Sequence, residues 1–141
     1  MGDKERLFEV SLVREDAYRS ISAALEAVER CVPDETVPVR VLVAPGEYRE
    51  RVEIRRSHVT IEGETADSVR IVGDLGAKMP SGDGSGQDGM LGTFRTYTML
   101  VDADDVTLAN LTIENDAGDG REVGQAIALY ADGDRLVVDA C

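Results

Sequence analysis

Few side chains in this sequence are of types that do chemistry unaided. His58 is the single histidine. No Ser or Cys stands at a spacing that would make it a nucleophile's base, so His58 reads as a turn residue. Cys31 and Cys141, the two cysteines, match no metal motif and do not make a disulfide framework; both are expected to be buried thiols acting as small hydrophobes. Asp74, Asp83 and Asp88 fall in a Gly-rich stretch that hints at calcium. The ligand order and closing Glu of an EF-hand loop are absent, as is the RTX nonapeptide, so no metal is expected. Asp132, Asp134 and Asp139 fall on turns or outward strand positions and show no readable pairing. Two uncharged residues are better placed. Thr93 opens one apolar burst and Gln125 opens another, and what their hydroxyl and amide face decides what they can do.

The elements that would hold them are short strands. In LGTFRTYTMLVDADDVTLANLTIENDAGDGREVGQAIALY, residues 91–130, apolar residues alternate with polar ones: Met99 and Val101, Val106 and Leu108, Leu111 and Ile113, Ala126 and Ala128. Period 2 marks strands with one buried face, and the Asp, Asn and Gly between bursts are turn formers. Earlier, Val39, Val41 and Val43 form a burst ended by Pro45-Gly46, and the unit V-x-I recurs as VEI, VTI and VRI, then as VTL and LTI. A repeated short strand unit with variable turns predicts a solenoid, whose coils bury their inward residues on one another. The stretch 73–92, GDLGAKMPSGDGSGQDGMLG, is too Gly-rich to pack a core and predicts a long excursion loop beside a cleft. Leu7–Val13 is a candidate first strand. Tyr18, Ile21, Leu25 and Val28 fall at helical spacing, which predicts an amphipathic helix over about 16–31 with Asp16 as N-cap and Pro33 as its stop. The coils then run from about 37 to 141.

A chain of 141 residues is one domain's worth. Aromatics are only 4%, with no Trp, so the core must be stacked aliphatic side chains. The net charge of −13, from 28 acidic and 15 basic residues, repels phosphate backbones and anionic bilayers. Neither nucleic acid nor membrane is expected as a partner. The N-terminus carries no apolar signal segment, so the chain as written reads as cytoplasmic or as one whose signal has been removed. Leu136, Val138 and Ala140 alternate up to Cys141. The chain is therefore expected to stop in a strand, as a C-terminally truncated fragment with an uncapped coil able to self-associate.

Three blocks together resemble the pectin methylesterases. PGEYRERVEI, Pro45 to Ile54, is similar to the family's G-x-Y-x-E block and the apolar strand after it. GTFRTYTMLVDADDVTLANLTIENDAG, Gly92 to Gly118, is similar to the Thr-rich entry, strand and N-x-T-x-x-N-x-A-G segment. GQAIALYADGDRLVVDAC, Gly124 to Cys141, is similar to the Q-A-V-A-L block and its following strand. Ala44 and Glu47 depart from the family's usual residues on what reads as a surface turn. The resemblance implies an all-β, right-handed, single-stranded parallel β-helix with an N-terminal capping helix. It also implies hydrolysis of galacturonate methyl esters in pectin, with no cofactor, in a family often secreted.

By the same resemblance Gln125 is the oxyanion-hole amide, and Thr93 and Gln125 bind substrate. In the family, the proton-donor and nucleophilic Asp residues, and an Arg and a Trp that bind substrate, come after the strand matching Leu136 to Cys141. Ester hydrolysis by this route needs one carboxylate to attack and one acid to protonate the leaving methoxide. The 141-residue chain is therefore expected to be inactive alone. A methylated stretch of pectin is neutral, so the acidic surface admits it. Asn110 and Asn115 read as residues that hold turns or stack in a ladder, and Tyr48 as one packed on a coil. A non-catalytic carbohydrate-binding or interaction β-helix is the first alternative. A lyase or polygalacturonase on the same scaffold is the second, and the Gln-Ala-Ile-Ala-Leu block speaks against it.

Overall fold

The computed structural model describes residues 6–79, 92, 95–118 and 126–141. Its elements are β1 (Arg6–Val10), α1 (Ile21–Cys31), β2 (Val39–Val43), β3 (Gly46–Arg49), β4 (Val52–Ile54), β5 (Val59–Gly63), β6 (Val69–Gly73), β7 (Met99–Val101), β8 (Thr107–Ala109), β9 (Thr112–Asn115), β10 (Leu129–Ala131) and β11 (Val137–Asp139). The strands form three sheets, β1-β2-β5-β8-β11, β3-β6-β9 and β4-β7-β10, and every pairing is parallel. The chain visits the sheets in rotation, β2-β3-β4, then β5-β6-β7, then β8-β9-β10. Each set of three is one coil.

The V-x-I units make the coils stack. Val41, Ile61 and Leu108 share one column of the five-stranded sheet, Tyr48, Ile71 and Ile113 one of the second, and Val52, Met99 and Leu129 one of the third. Val41, Ile61, Leu108, Ile71, Val52 and Met99 are all fully buried. The β-branched residues that dominate these columns suit a pleated surface packed above and below. Tyr48 packs on its coil as expected, with its hydroxyl donating to the Ala44 carbonyl at 2.8 Å. At the far end Val138, in register with buried Leu108, is 48% exposed, as expected for the apolar edge of the last coil.

The helix begins later than its spacing predicts, and Asp16 does not cap it. Tyr18 is bridged in parallel to Val10, with Tyr18 N donating to Glu9 O and Ser11 N donating to Tyr18 O, each at 2.9 Å. That keeps the chain extended there, and Asp16 instead pairs with Arg14 at 3.1 Å. The cap is Ser20, whose hydroxyl accepts from Ala23 N at 3.0 Å. A second cap arrives from the first coil, where the Glu50 carboxylate accepts from Ile21 N at 3.0 Å, Ser22 N at 2.8 Å and the Ser22 hydroxyl at 2.7 Å. A carboxylate there also suits the positive end of the helix dipole. Ile21, Ala24 and Val28 go into the core. Buried Arg56 holds the chain after the helix, donating to the carbonyls of Val32, Asp34 and Val37 at 3.2, 2.5 and 2.8 Å.

The cysteines correct a second expectation. Cys31 and Cys141 are exposed rather than buried, because Cys31 ends the helix on its solvent side and Cys141 lies past β11. The turns between the third and first sheets also stack. Ser57 Oγ accepts from Asp104 N at 3.1 Å, and Asp104 Oδ1 accepts from Asp134 N at 2.8 Å. His58, Asp105 and Arg135 are left-handed, with φ of 61°, 56° and 58°, so His58 is a turn residue as expected.

Gly63 shows how tightly the coils meet. A Cβ there would collide with the Asn110 carbonyl oxygen in the next coil and with the Val69 side chain. Gly63→Ala is expected to lower stability by about 1–3 kcal/mol, the range for overpacking, as a lower urea midpoint.

Candidate functional site

Thr93 and Gln125, the residues on which the chemical reading rests, lie outside the described residues. The segments that lead to them are described, and their placement has a topological cause. Passing from the second sheet to the third takes only residues 50–51 in the first coil, but 74–98 in the second and 116–128 in the third. Both long excursions leave from the same corner of the coil. They also return there, because β4, β7 and β10 stay in register.

At this corner a buried polar knot joins the two segments. Thr96 and Thr98 are 1% and 0% exposed. Thr96 Oγ1 accepts from Ile127 N at 2.8 Å, and Thr98 Oγ1 donates to Glu114 O at 2.9 Å. The Asn115 side-chain amide donates to the carbonyls of Leu75 and Thr96, each at 2.9 Å, and of Ile127 at 3.2 Å, while its Oδ1 accepts from Ala117 N at 3.0 Å. One side chain thereby ties the start of the first excursion, its end, and the end of the second. The chain just after Thr93 and the chain just after Gln125 are thus held together. Asn115 and Asn110, the latter left-handed at φ 56°, hold turns as their positions suggest.

Three residues here are not picked out by sequence reasoning. Arg51 lies with its guanidinium 3.8 Å from the centre of the Tyr97 ring, a cation–π contact, and donates to the carbonyls of Tyr97 and Arg95 at 3.2 and 2.5 Å. The Tyr97 hydroxyl donates to Glu53 Oε1 at 2.6 Å. That bond, with help from Arg55 and Arg51, holds the Glu53 carboxyl below the usual carboxylate range despite partial burial. Burial first, and the bond to Glu53 second, push the Tyr97 phenol up. The available signal was the alternation of Arg51 and Glu53 with inward Val52 and Ile54 along β4, which places both on the outer face. Asp132, Asp134 and Asp139 are on or beside the turns of the last coil and form no carboxylate pair at this corner. Among the described residues no group of His, Cys, Asp and Glu is arranged to hold a metal.

Stacked parallel coils of this kind, with their long connections gathered at one corner, define a parallel β-helix. Residues 9–141 match the pectinesterase family, and the chain belongs to it. It is 32% identical over 126 residues to a probable pectinesterase/pectinesterase inhibitor of Arabidopsis thaliana, covering 88% of this chain and 20% of that protein. It is 30% identical over 134 residues to a pectinesterase of Petunia integrifolia, covering 94% of this chain and 32% of that one. Among solved structures, a pectin methylesterase in complex with a hexasaccharide superposes with a TM-score of 0.80 at 25% identity, over 94% of this chain and 41% of that one. The Yersinia enterocolitica pectin methylesterase gives 0.73 at 32% identity, over 86% and 40%. The chain thus spans 20% to 32% of the length of these two plant relatives.

Two measurements probe the corner. Asn115→Asp keeps the shape of the side chain but replaces its donors with acceptors facing three carbonyls. It is expected to cost about 1–3 kcal/mol in chemical denaturation, the penalty of unmet buried polar groups, and to be milder in acid, where the introduced carboxyl is neutral. Tyr97→Phe should raise the Glu53 pKa towards that of a solvated carboxyl in a carboxyl-carbon NMR titration. Because that pKa is depressed, the stabilisation from Glu53 is full at neutral pH and is lost as pH falls through its folded value. The variant should lose that acid-limb contribution.

Proposed function

We propose that this chain is the N-terminal portion of a pectinesterase-like carboxylic ester hydrolase acting on galacturonate methyl esters of pectin. The carrying observation is the family match over residues 9–141. The buried knot supports it, since Asn115 and Thr96 bring together the segments that lead to Thr93 and Gln125. In this reading Thr93 contacts the sugar, and the Gln125 amide donates to the oxygen that gains charge when a carboxylate attacks the ester carbon. The hexasaccharide bound by a structural relative supports an oligosaccharide ligand.

The same reading says what the 141 residues do not supply. The family's attacking and proton-donating carboxylates follow the stretch matched by Leu136 to Cys141. Without the first no tetrahedral intermediate forms, and without the second methoxide is a poor leaving group. A complete oxyanion donor cannot replace either.

The 141-residue chain is expected to release no methanol from methylated pectin above a buffer blank. A protein extended by a segment carrying both carboxylates should release it. In that extended protein Gln125→Ala should lower kcat about 10²–10³-fold, the usual cost of one oxyanion donor. Methanol from the 141-residue chain, or an unchanged kcat in the variant, would refute the assignment. Calorimetric binding of pectin without turnover in the extended protein would favour the binding-module reading.

A further inference from the structure

The buried knot borders a cleft of about 200 Å³ whose lining includes Val72, Gly73, Leu75 and Tyr97, and several of its bonds converge on one residue, Ile127. β7 and β10 pair from Met99 and Leu129 onward. Ile127 stands two residues ahead of β10, and Thr96 three ahead of β7. The Ile127 N–H donates to Thr96 Oγ1 at 2.8 Å. The Ile127 carbonyl accepts from the Asn115 amide at 3.2 Å and from Thr98 N at 3.1 Å. Both polar groups of Ile127 are thus held, and the hydroxyl that takes its N–H belongs to a residue 1% exposed.

Stacking alone does not call for that hydroxyl. One coil down, the strand entering the same sheet is met by backbone, with Val52 N donating to the Thr98 carbonyl at 2.8 Å. At the exit of the sheet, Asp102 N donates to Ile54 O at 2.8 Å and Asp132 N to Val101 O at 2.7 Å. A side-chain acceptor replaces the carbonyl where the third coil enters, and Gln125 stands two residues ahead of that point in the sequence. Two residues of chain span at most about 7 Å. The restraint on the Ile127 peptide therefore acts on the backbone from which the Gln125 side chain starts. A donor aimed at developing charge is useful only if it is already in place when the charge appears, within about 0.5 Å of the productive geometry.

We propose that Thr96 is a positioning residue for Gln125: its hydroxyl fixes the Ile127 peptide and, through it, the place of the oxyanion donor. This deepens the pectinesterase reading and rests on it. Thr96 acts through Gln125 and has no part of its own in the attack on the ester or the departure of methoxide.

The test has a structural arm and a kinetic arm. In the 141-residue chain, Thr96→Val keeps the side chain's shape and removes its hydroxyl. The Ile127 amide should then exchange with deuterium about tenfold faster, the worth of one hydrogen bond, while Thr96→Ser keeps it protected. In the protein extended by both carboxylates, Thr96→Val should lower kcat by up to about 10²-fold, the cost of a small misplacement, with KM little changed. Thr96→Ser should recover most of the loss. In a Gln125→Ala background Thr96→Val should lower kcat no further, because residues acting as a unit are not additive. Thermal melts confirm folding, and Thr96→Ala carries the same readings where Thr96→Val does not fold. Unchanged Ile127 exchange, an unchanged kcat in folded Thr96→Val, or the same loss of kcat with and without Gln125 overturns the positioning role alone. A Gln125→Ala protein with native kcat removes the oxyanion reading, and the role of Thr96 falls with it.

Discussion

The structure depends on parallel in-register stacking of short strands, in which each coil is both roof and floor for its neighbours. A strand of three to five residues has too little surface to be stable alone. Its inward residues are protected only because Val41, Ile61 and Leu108, or Val52, Met99 and Leu129, fall one above another. Anything that keeps the columns aligned is therefore structural. Anything that leaves the coil between two columns is free to vary in length.

That freedom is used at one corner. The link between the second and third sheets grows from two residues, Glu50 and Arg51, to the long excursions of the next two coils, while the strands on either side keep their register. A loop inserted there would ordinarily loosen the corner, because its first and last carbonyls lose the partners they have in a tight turn. Asn115 answers that loss by meeting three of them with a single amide. Thr98 meets one more carbonyl, that of Glu114, and Thr96 takes up the Ile127 N–H, in surroundings where unmatched polar atoms are costly. The rigid frame and the variable walls of the cleft thus come from the same residues.

Much of the frame was legible because the physics that builds it is local and periodic. The V-x-I units fell where strands form, Tyr48 faced inwards, Asn110 and His58 sat in turns, and Asn115 closed a strand at the corner. Helix onset was not legible. The spacing of Tyr18 with Ile21 looks helical, but a bridge from Tyr18 to Val10 is a non-local contact that no window of sequence contains. The cysteines misled for a related reason, since burial of a thiol depends on which elements end where. The cleft was legible only in outline. Arg51 and Glu53 announce an outward face by alternating with Val52 and Ile54. That the first would lie on Tyr97 and the second accept its hydroxyl joins residues more than forty positions apart. The Thr93 and Gln125 assignments came from family resemblance, and their side chains lie outside the described residues.

The stacked turns built on Ser57, Asp104 and Asp134 have a consequence for how sequence change can be absorbed. At each level a side-chain oxygen receives the backbone N–H of the level above, while three non-glycine residues accept a left-handed backbone to make the exchange possible. This seam works as a counter. An extra residue on its far side only lengthens a loop, whereas one extra residue within the seam would displace a left-handed residue and break the hydrogen bonds that join one level to the next. The lineage of such a chain should therefore record its insertions almost wholly at the opposite corner, and the seam should keep its length even where its letters change.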